Sequence, residues 1–427
     1  MAEQTSLDQL PASTLAPETT IMPPKPWWFL LGLSLSVVVG GISSVCIKQL
    51  LLPIQTSLLA PHDTNTAFTV VASIGAVAGL VASPLVGAFS DRTSWRFGRR
   101  RPWIALGILV AVGGMLLMAG AHSIPLLVLG EICAQIGVDT VLAVTTAVIP
   151  DQIPQKQRAF TSACAGMAPN VGGVIGLLLV AHLTNPSVVW QGYVLIACVS
   201  LGCVAFFLLV LREPPAVASE LPPPLRPGPF VRDFVQPFGS HDFRLTFASR
   251  CFAYLSFTIL GAYLLFYVHG ALHATLPAAA SSVANFQLLS TVILLVCALA
   301  AGSLSHYLKK IKVFAIGGAV LMALGLVVMV VSPTWAALSL AAGIFGGGFG
   351  LFLGVDIALA VRVLPSPDAR GKDLGLMYNA IYLPLILSPV IGGLVLNLWH
   401  NFALLFALAA LSAILAGLLL LPVRSVR

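Results

Sequence analysis

GAFSDRTSWRFGRRRPWI, residues 87–104, decides how the rest of the chain is read. It places Arg92, Arg96, Arg99, Arg100 and Arg101 behind a single acid, Asp91, and it lies between two long apolar runs. A bilayer core does not accept such a cluster of cations, so the stretch is a loop between two membrane spans. Lys and Arg are retained where translocation is unfavourable, which predicts that this loop is cytoplasmic. On charge alone it is an anchor. The Gly87 to Asp91 spacing and the Gly98 turn inside the basic run add a second reading. A helix end with one carboxylate, followed by a Gly-broken loop of guanidiniums, can pair across a seam in one conformation and separate in another.

The string resembles the loop between the second and third helices of the major facilitator superfamily. The form SDR, a short spacer, then RFGRRRP is similar to that of the plant sucrose/proton symporters and their animal and bacterial relatives, the glycoside-pentoside-hexuronide cation symporter-like group. That resemblance implies a cytoplasmic gate made of Gly87, Asp91, Arg92, Gly98, Arg99, Arg100 and Arg101, with the plain anchor as the alternative.

Composition agrees with a membrane setting. Of 427 residues 58% are hydrophobic and 9% charged, where a soluble domain carries about 25% charged residues. The formal charge of +7 is crowded into short loops beside apolar runs, which reads as contact with anionic lipid and implies no nucleic-acid partner. The seven cysteines lie in or beside apolar runs, without a CxxC pair or a close His, and read as small buried hydrophobes, with no disulfide framework and no metal site. Residues 1–26 are polar and rich in Pro and Thr, unlike a cleaved signal peptide, and are expected to be a disordered cytoplasmic tail.

Apolar runs of about 20 residues, enough to span, begin near Trp28, Ala67, Pro102, Ile124, Phe160 and Gln191. Six more begin near Phe247, Ala279, Val313, Ala336, Gly375 and Phe402. Twelve spans put both termini on one side. With that side cytoplasmic, the cytoplasmic segments hold all of the 22 Lys and Arg except Lys48, so a multi-pass protein of the plasma (inner) membrane is expected. Between the two groups of spans lies a stretch with eight prolines from Glu213 to Thr246, too polar to cross and suited to a semi-rigid connection. The expected organisation is a tail to residue 26, a six-helix bundle over 27–212, the linker over 213–246, a second bundle over 247–422 and a short tail over 423–427.

The two groups look like copies. Gly87 in GAFSD matches Gly302 in GSLSH, Pro150 in VIPDQIP matches Pro365 in VLPSPD, and Pro169 matches Pro384, each pair 215 residues apart. GVD recurs at Asp139 and Asp356, 217 apart. The expected fold is therefore an all-α membrane protein of twelve helices in two six-helix bundles, related as parallel repeats about an axis along the membrane normal, with solute bound between them. The second copy of the basic motif has His306 where Asp91 stands, so an asymmetric gate is expected. GKDLG, residues 371–375, also resembles the loop between helices 10 and 11 in the bacterial branch of the symporter group.

Ionisable residues within spans mark function, because burying them is expensive. The fourth span carries Glu131, Gln135 and Asp139 as one polar stripe, and the tenth carries Asp356. A carboxyl group in a low-dielectric cavity can take up a proton on one side and release it on the other. Proton coupling is assigned to Asp139, with Glu131 and Asp356 as further candidates. Each has a structural alternative: a hydrogen bond to a neighbouring helix for Asp139, reach to outer water for Glu131, and for Asp356 either a remnant of duplication or support of its helix end. Lys48 either snorkels outward or pairs with Glu131. Candidate solute contacts are Gln135, Tyr263, Asn285, Gln287, Asn379, Tyr382 and Lys48, with the tyrosines alternatively serving as interface residues. The glycines of GIFGGGFG, residues 343–350, lie inside a span and read as close helix packing.

The resemblance implies a proton-coupled symporter of a neutral, sugar-like solute, monomeric, driven by the proton gradient and needing no cofactor. APNVGG, residues 168–173, is close to the GPxxGG of drug/proton antiporters, which makes an exporter the alternative. A non-transporting receptor or scaffold would be expected to carry a sizeable soluble domain or binding tail. No HExxH, GxSxG or P-loop pattern points to an enzyme.

Overall fold

The computed structural model describes residues 24–93, 95, 98–185, 188–213, 236–363 and 370–423, with the side chains of 159, 306, 370–376, 378 and 379 outside that description. Among the described residues, twelve helices are long and apolar enough to cross a membrane. They are α1 Trp27–Leu59, α2 Thr64–Asp91, α3 Arg101–Ala119, α4 Ile124–Gln152, α5 Gln155–Leu183 and α6 Val189–Val210, followed by α7 His241–Gly270, α8 Leu276–Leu308, α9 Ile311–Val331, α10 Trp335–Arg362, α11 Arg370–Trp399 and α12 Phe402–Leu420. No strand occurs among the described residues. A bilayer leaves every backbone N–H and C=O to find its partner within the protein, and helices do this locally.

Several helices begin a few residues before the apolar runs, and the departures at α7 and α1 have a local reason. α7 begins at His241 instead of near Phe247. Its first turns are amphipathic, with Arg244 exposed while Phe243 and Phe247 stand edge-on to Phe238, ring centroids 5.4 and 5.1 Å away. α1 contains a single wide turn, Ile47–Leu51, in which the Leu52 N–H donates to Ile47 O, five residues back. Pro53 accounts for the widening, because it has no N–H for the Gln49 carbonyl and its ring would collide with that carbonyl in a regular turn.

α1 packs on α4, α5 and α6, α3 on α4 and α6, and α2 on α4. The second six helices follow a related plan, with α7 on α11 and α12, α9 on α10 and α12, and α8 on α10. Small residues carry the closest crossings, since helices in lipid associate by tight packing. Gly346, Gly350 and Gly354 of α10 lie on the α8 backbone at Ser290, Leu294 and Ala298, so the glycine-rich run is a packing surface.

Helix alternation puts Asp91, Arg101, Gln152 and Gln155 on one end of the bundle, the basic end. The two sets of six helices meet at the opposite, far end. There Thr69 Oγ1 of α2 donates to Pro389 O of α11 at 2.8 Å, Ser73 Oγ donates to Ile386 O at 3.3 Å, and Asn397 Nδ2 donates to Thr66 Oγ1 at 2.9 Å. Phe68 adds edge-on contacts to Tyr263 and Phe266 of α7, with centroids 5.6 and 5.4 Å apart. Near the basic end, a Cβ on Gly87 of α2 would meet nothing within 4 Å among the described residues. The far end is held by the contacts of Thr66, Phe68, Thr69 and Ser73.

Candidate functional site

The stripe on α4 is buried: Glu131, Gln135 and Asp139 are at most 7% exposed. α2 makes room for it with two glycines one turn apart. Gly75 lies against Glu131, where a Cβ would come within 2.5 Å of Cγ, and Gly79 lies against Gln135 and Asp139, where a Cβ would overlap Asp139 Oδ2. Gln135 Nε2 donates to Asp139 Oδ2 at 2.9 Å. Neither Glu131 oxygen meets a donor among the described residues. Buried acids are tolerated when a proton or a counter-charge neutralises them.

The candidate counter-charge is Lys48. It sits half-buried on the wide turn of α1, in electrostatic range of both Glu131 and Asp139. Tyr193 of α6 is fully buried near Glu131, and its hydroxyl has no partner among the described residues. Tyr382 of α11 comes from the other set of helices, bonds Ser83 of α2 and is in electrostatic range of Asp139. Two carboxyls, an amide, an ammonium and a phenol are thus gathered around α2, next to the seam between the sets. The arrangement can exchange a proton and hold polar groups of a solute.

The remaining sequence candidates are placed elsewhere. Asp356 Oδ2 of α10 is 3.0 Å from Arg250 Nη2 of α7, and both residues are almost fully buried. Tyr263 is fully buried and donates to Pro389 O at 2.8 Å, so it belongs to the closed far end. Gln287 Nε2 donates to Thr291 Oγ1 of its own helix at 3.1 Å. Asn285 is exposed and lines, with Leu288 and Trp335, a groove of about 550 Å³ between α8 and α10 that no residue of the α4 stripe touches. The Asn379 side chain lies outside the described residues.

At the basic end, the loop arginines close onto their own set of helices. Arg100 Nη1 is 2.6 Å from Asp91 Oδ1 and donates to Ser90 Oγ at 3.0 Å, while Arg100 Nε and Arg99 Nη2 reach Asp151 Oδ2 at 3.0 and 2.7 Å. Glu213, just beyond α6, caps α3: its Oε2 accepts from the Arg100 and Arg101 N–H groups at 2.8 and 3.0 Å. Gly98 has φ +98°, and a Cβ there would overlap Glu213, which is why the turn takes glycine. Desolvation works against the Arg99 charge, yet the Asp151 hydrogen bond and the charges of Asp151, Asp91 and Glu213 hold its pKa above the ordinary guanidinium value. Of the other motif residues, Arg92 Nη1 donates to Ala88 O at 2.8 Å.

Sequence reasoning did not single out Asp151, Glu213, Gly75, Gly79 or Arg250. Asp151 stands inside the repeated VIPDQIP, and Glu213 ends LRE directly before the first linker prolines, so both had a positional signal. The glycine pair also had one, since Gly75 and Gly79 share the four-residue spacing of the polar stripe they face.

Over residues 29–366 the chain matches the family described as Major Facilitator Superfamily. It is 31% identical over 121 residues to the General alpha-glucoside permease of Schizosaccharomyces pombe, covering 25% of this chain and 22% of that relative. It is 26% identical over 187 residues to the MFS efflux transporter aclA of Aspergillus oryzae, covering 43% of this chain and 32% of that one. These alignments span about a fifth to a third of the relatives' lengths. A bacterial homologue of the human lysosomal transporter Spinster, solved in an inward-facing and unoccupied conformation, superposes with a TM-score of 0.69 at 16% identity over 93% of this chain and 95% of that one. With a family match over most of its length, twelve candidate membrane spans and this fold, the chain is a multi-pass membrane protein that belongs to the Major Facilitator Superfamily.

Proposed function

We propose that the protein is a proton-coupled symporter of a neutral, sugar-like solute, working by alternating access in the plasma membrane with its basic end cytoplasmic. The observation that carries this is the buried α4 stripe facing the glycine notches of α2. Asp139 is the coupling acid: it is protonated while the far end is open, and it gives the proton up once the basic end opens. Gln135, Tyr382 and Lys48 supply polar groups to the solute, and the Arg99, Arg100, Asp91 and Asp151 cluster gates the cytoplasmic side. A sugar-like solute is supported by the resemblance of SDR and RFGRRRP to the sucrose/proton symporters and by the name of the fission-yeast relative.

A second reading, proton-driven export, is favoured by APNVGG on α5 and by the efflux relative of Aspergillus oryzae. Gly172 and Gly173 of that motif pack on α1, where a Cβ on Gly172 would overlap Val38 O and one on Gly173 would lie 2.9 Å from Val45 Cγ2. Uptake of a labelled disaccharide panel into proteoliposomes, with and without an inward proton gradient, tests both. Accumulation that follows the inward gradient supports symport. Solute expelled against its own gradient supports export, and no movement of any sugar refutes the sugar reading.

A further inference from the structure

Gln49 has no role in the site as described, yet its surroundings are unusual. It lies on the wide turn of α1, next to Lys48, and such turns recur at functional positions because they re-aim a side chain inside a helix. Its side chain is 7% exposed, and Oε1 meets no donor among the described residues. Leaving a buried amide oxygen unbonded is unfavourable. The amide is directed at the other set of helices. It stands over Gly261 of α7, where a Cβ would lie 2.8 Å from Nε2, so glycine on α7 is what lets the amide sit at the seam. Two residues further along α7, Tyr263 belongs to the far-end closure. Gln49 therefore lies on the seam just inside that closure.

We propose that the Gln49 amide, held over Gly261 at the seam with its Oε1 unbonded, is a subsite that reads one hydroxyl of the transported polyol. An amide offers an acceptor and a donor side by side, and a hydroxyl group complements both. This rests on the sugar reading above. A position built to bond a hydroxyl discriminates strongly against the analogue that lacks it, so the subsite contributes specificity as well as affinity.

The test is counterflow exchange in proteoliposomes of a glucoside and its series of mono-deoxy analogues, comparing wild type with Gln49→Leu. In the wild type, one deoxy position is expected to raise KM roughly tenfold, the value of one good neutral hydrogen bond. In Gln49→Leu, KM for the parent glucoside is expected to rise by a similar factor, and the penalty at that one position is expected to fall to about one, with the other positions unchanged. Gln49→Met keeps the side-chain length and gives the same result if Gln49→Leu does not fold. A variant that keeps the wild-type pattern of penalties overturns the proposal alone. A wild type that exchanges none of the glucosides overturns the sugar reading and this subsite with it.

Discussion

Gly393→Ala probes how the far end holds shut. A Cβ at position 393 of α11 would overlap Thr69 Oγ1 of α2, the hydroxyl that donates to Pro389 O at 2.8 Å. The hydroxyl cannot retreat without giving up that bond, worth about 0.5–1.5 kcal/mol net, and the helices must also part slightly. A total near 1–2 kcal/mol shifts a two-state balance roughly 5- to 30-fold. Spin labels at Asp63 and Trp399, exposed residues of the two sets at the far end, report the change as a growing population at longer distance. Thr69→Ala by itself loses only the hydrogen bond, a shift of roughly two- to tenfold. In the double variant the overlapping hydroxyl is gone and the remaining Cβ, 3.2 Å from the added methyl, needs only a small adjustment. The pair should then resemble Thr69→Ala instead of summing the two effects. A Gly393→Ala protein with the wild-type distance distribution, or strictly additive shifts, would refute the idea that this contact sets the balance.

Asp139→Asn imitates a permanently protonated acid and is expected to keep solute exchange while abolishing accumulation driven by a proton gradient; a variant that still concentrates solute would leave Asp139 a structural role. Asp91→Asn removes one of the two carboxylates on Arg100 and is expected to slow exchange roughly tenfold with little change in solute affinity, read from exchange rates and equilibrium binding. Arg250→Met strands the buried Asp356 carboxylate and is expected to lower stability by about 3–5 kcal/mol, with most of it recovered in Arg250→Met/Asp356→Leu, read as thermal unfolding in detergent. Cysteine replacing Asn65 is expected to react with an impermeant thiol reagent outside intact cells, whereas cysteine replacing Lys156 is expected not to; the reverse would invert the orientation.

The fold was legible because a bilayer imposes a few strong rules: spans of fixed length, cations on one side, and a duplication that leaves Gly87 and Gly302 in register. The α4 stripe was legible for the same reason, since three polar residues one turn apart in an apolar run must share a face. The surroundings of the stripe were not. That Gly75 and Gly79 face the acids depends on how α2 lies on α4, a tertiary fact without a local signature. Tyr263 and Asn285 show the limit from the other side. Both are polar groups inside spans, but which way each points depends on the rotation of its helix, and one belongs to the far-end closure while the other lines a lateral groove.

The duplication gives each set of helices a buried acid on its GVD sequence, and the partners separate their chemistry. Asp139 accepts from Gln135, a neutral amide that remains satisfactory whether the acid carries a proton or a charge. Asp356 faces Arg250, a guanidinium that stays charged at any physiological pH. Protonating Asp356 would leave that buried cation without its counter-charge, which is strongly unfavourable. The proposed coupling role asks for surroundings that accept both the protonated and the ionised acid, and the neutral Gln135 amide on α4 meets that requirement. On the tenth helix the corresponding acid is part of the wall between α7 and α10, so the two halves, alike in fold, hold their acids in different electrostatic surroundings.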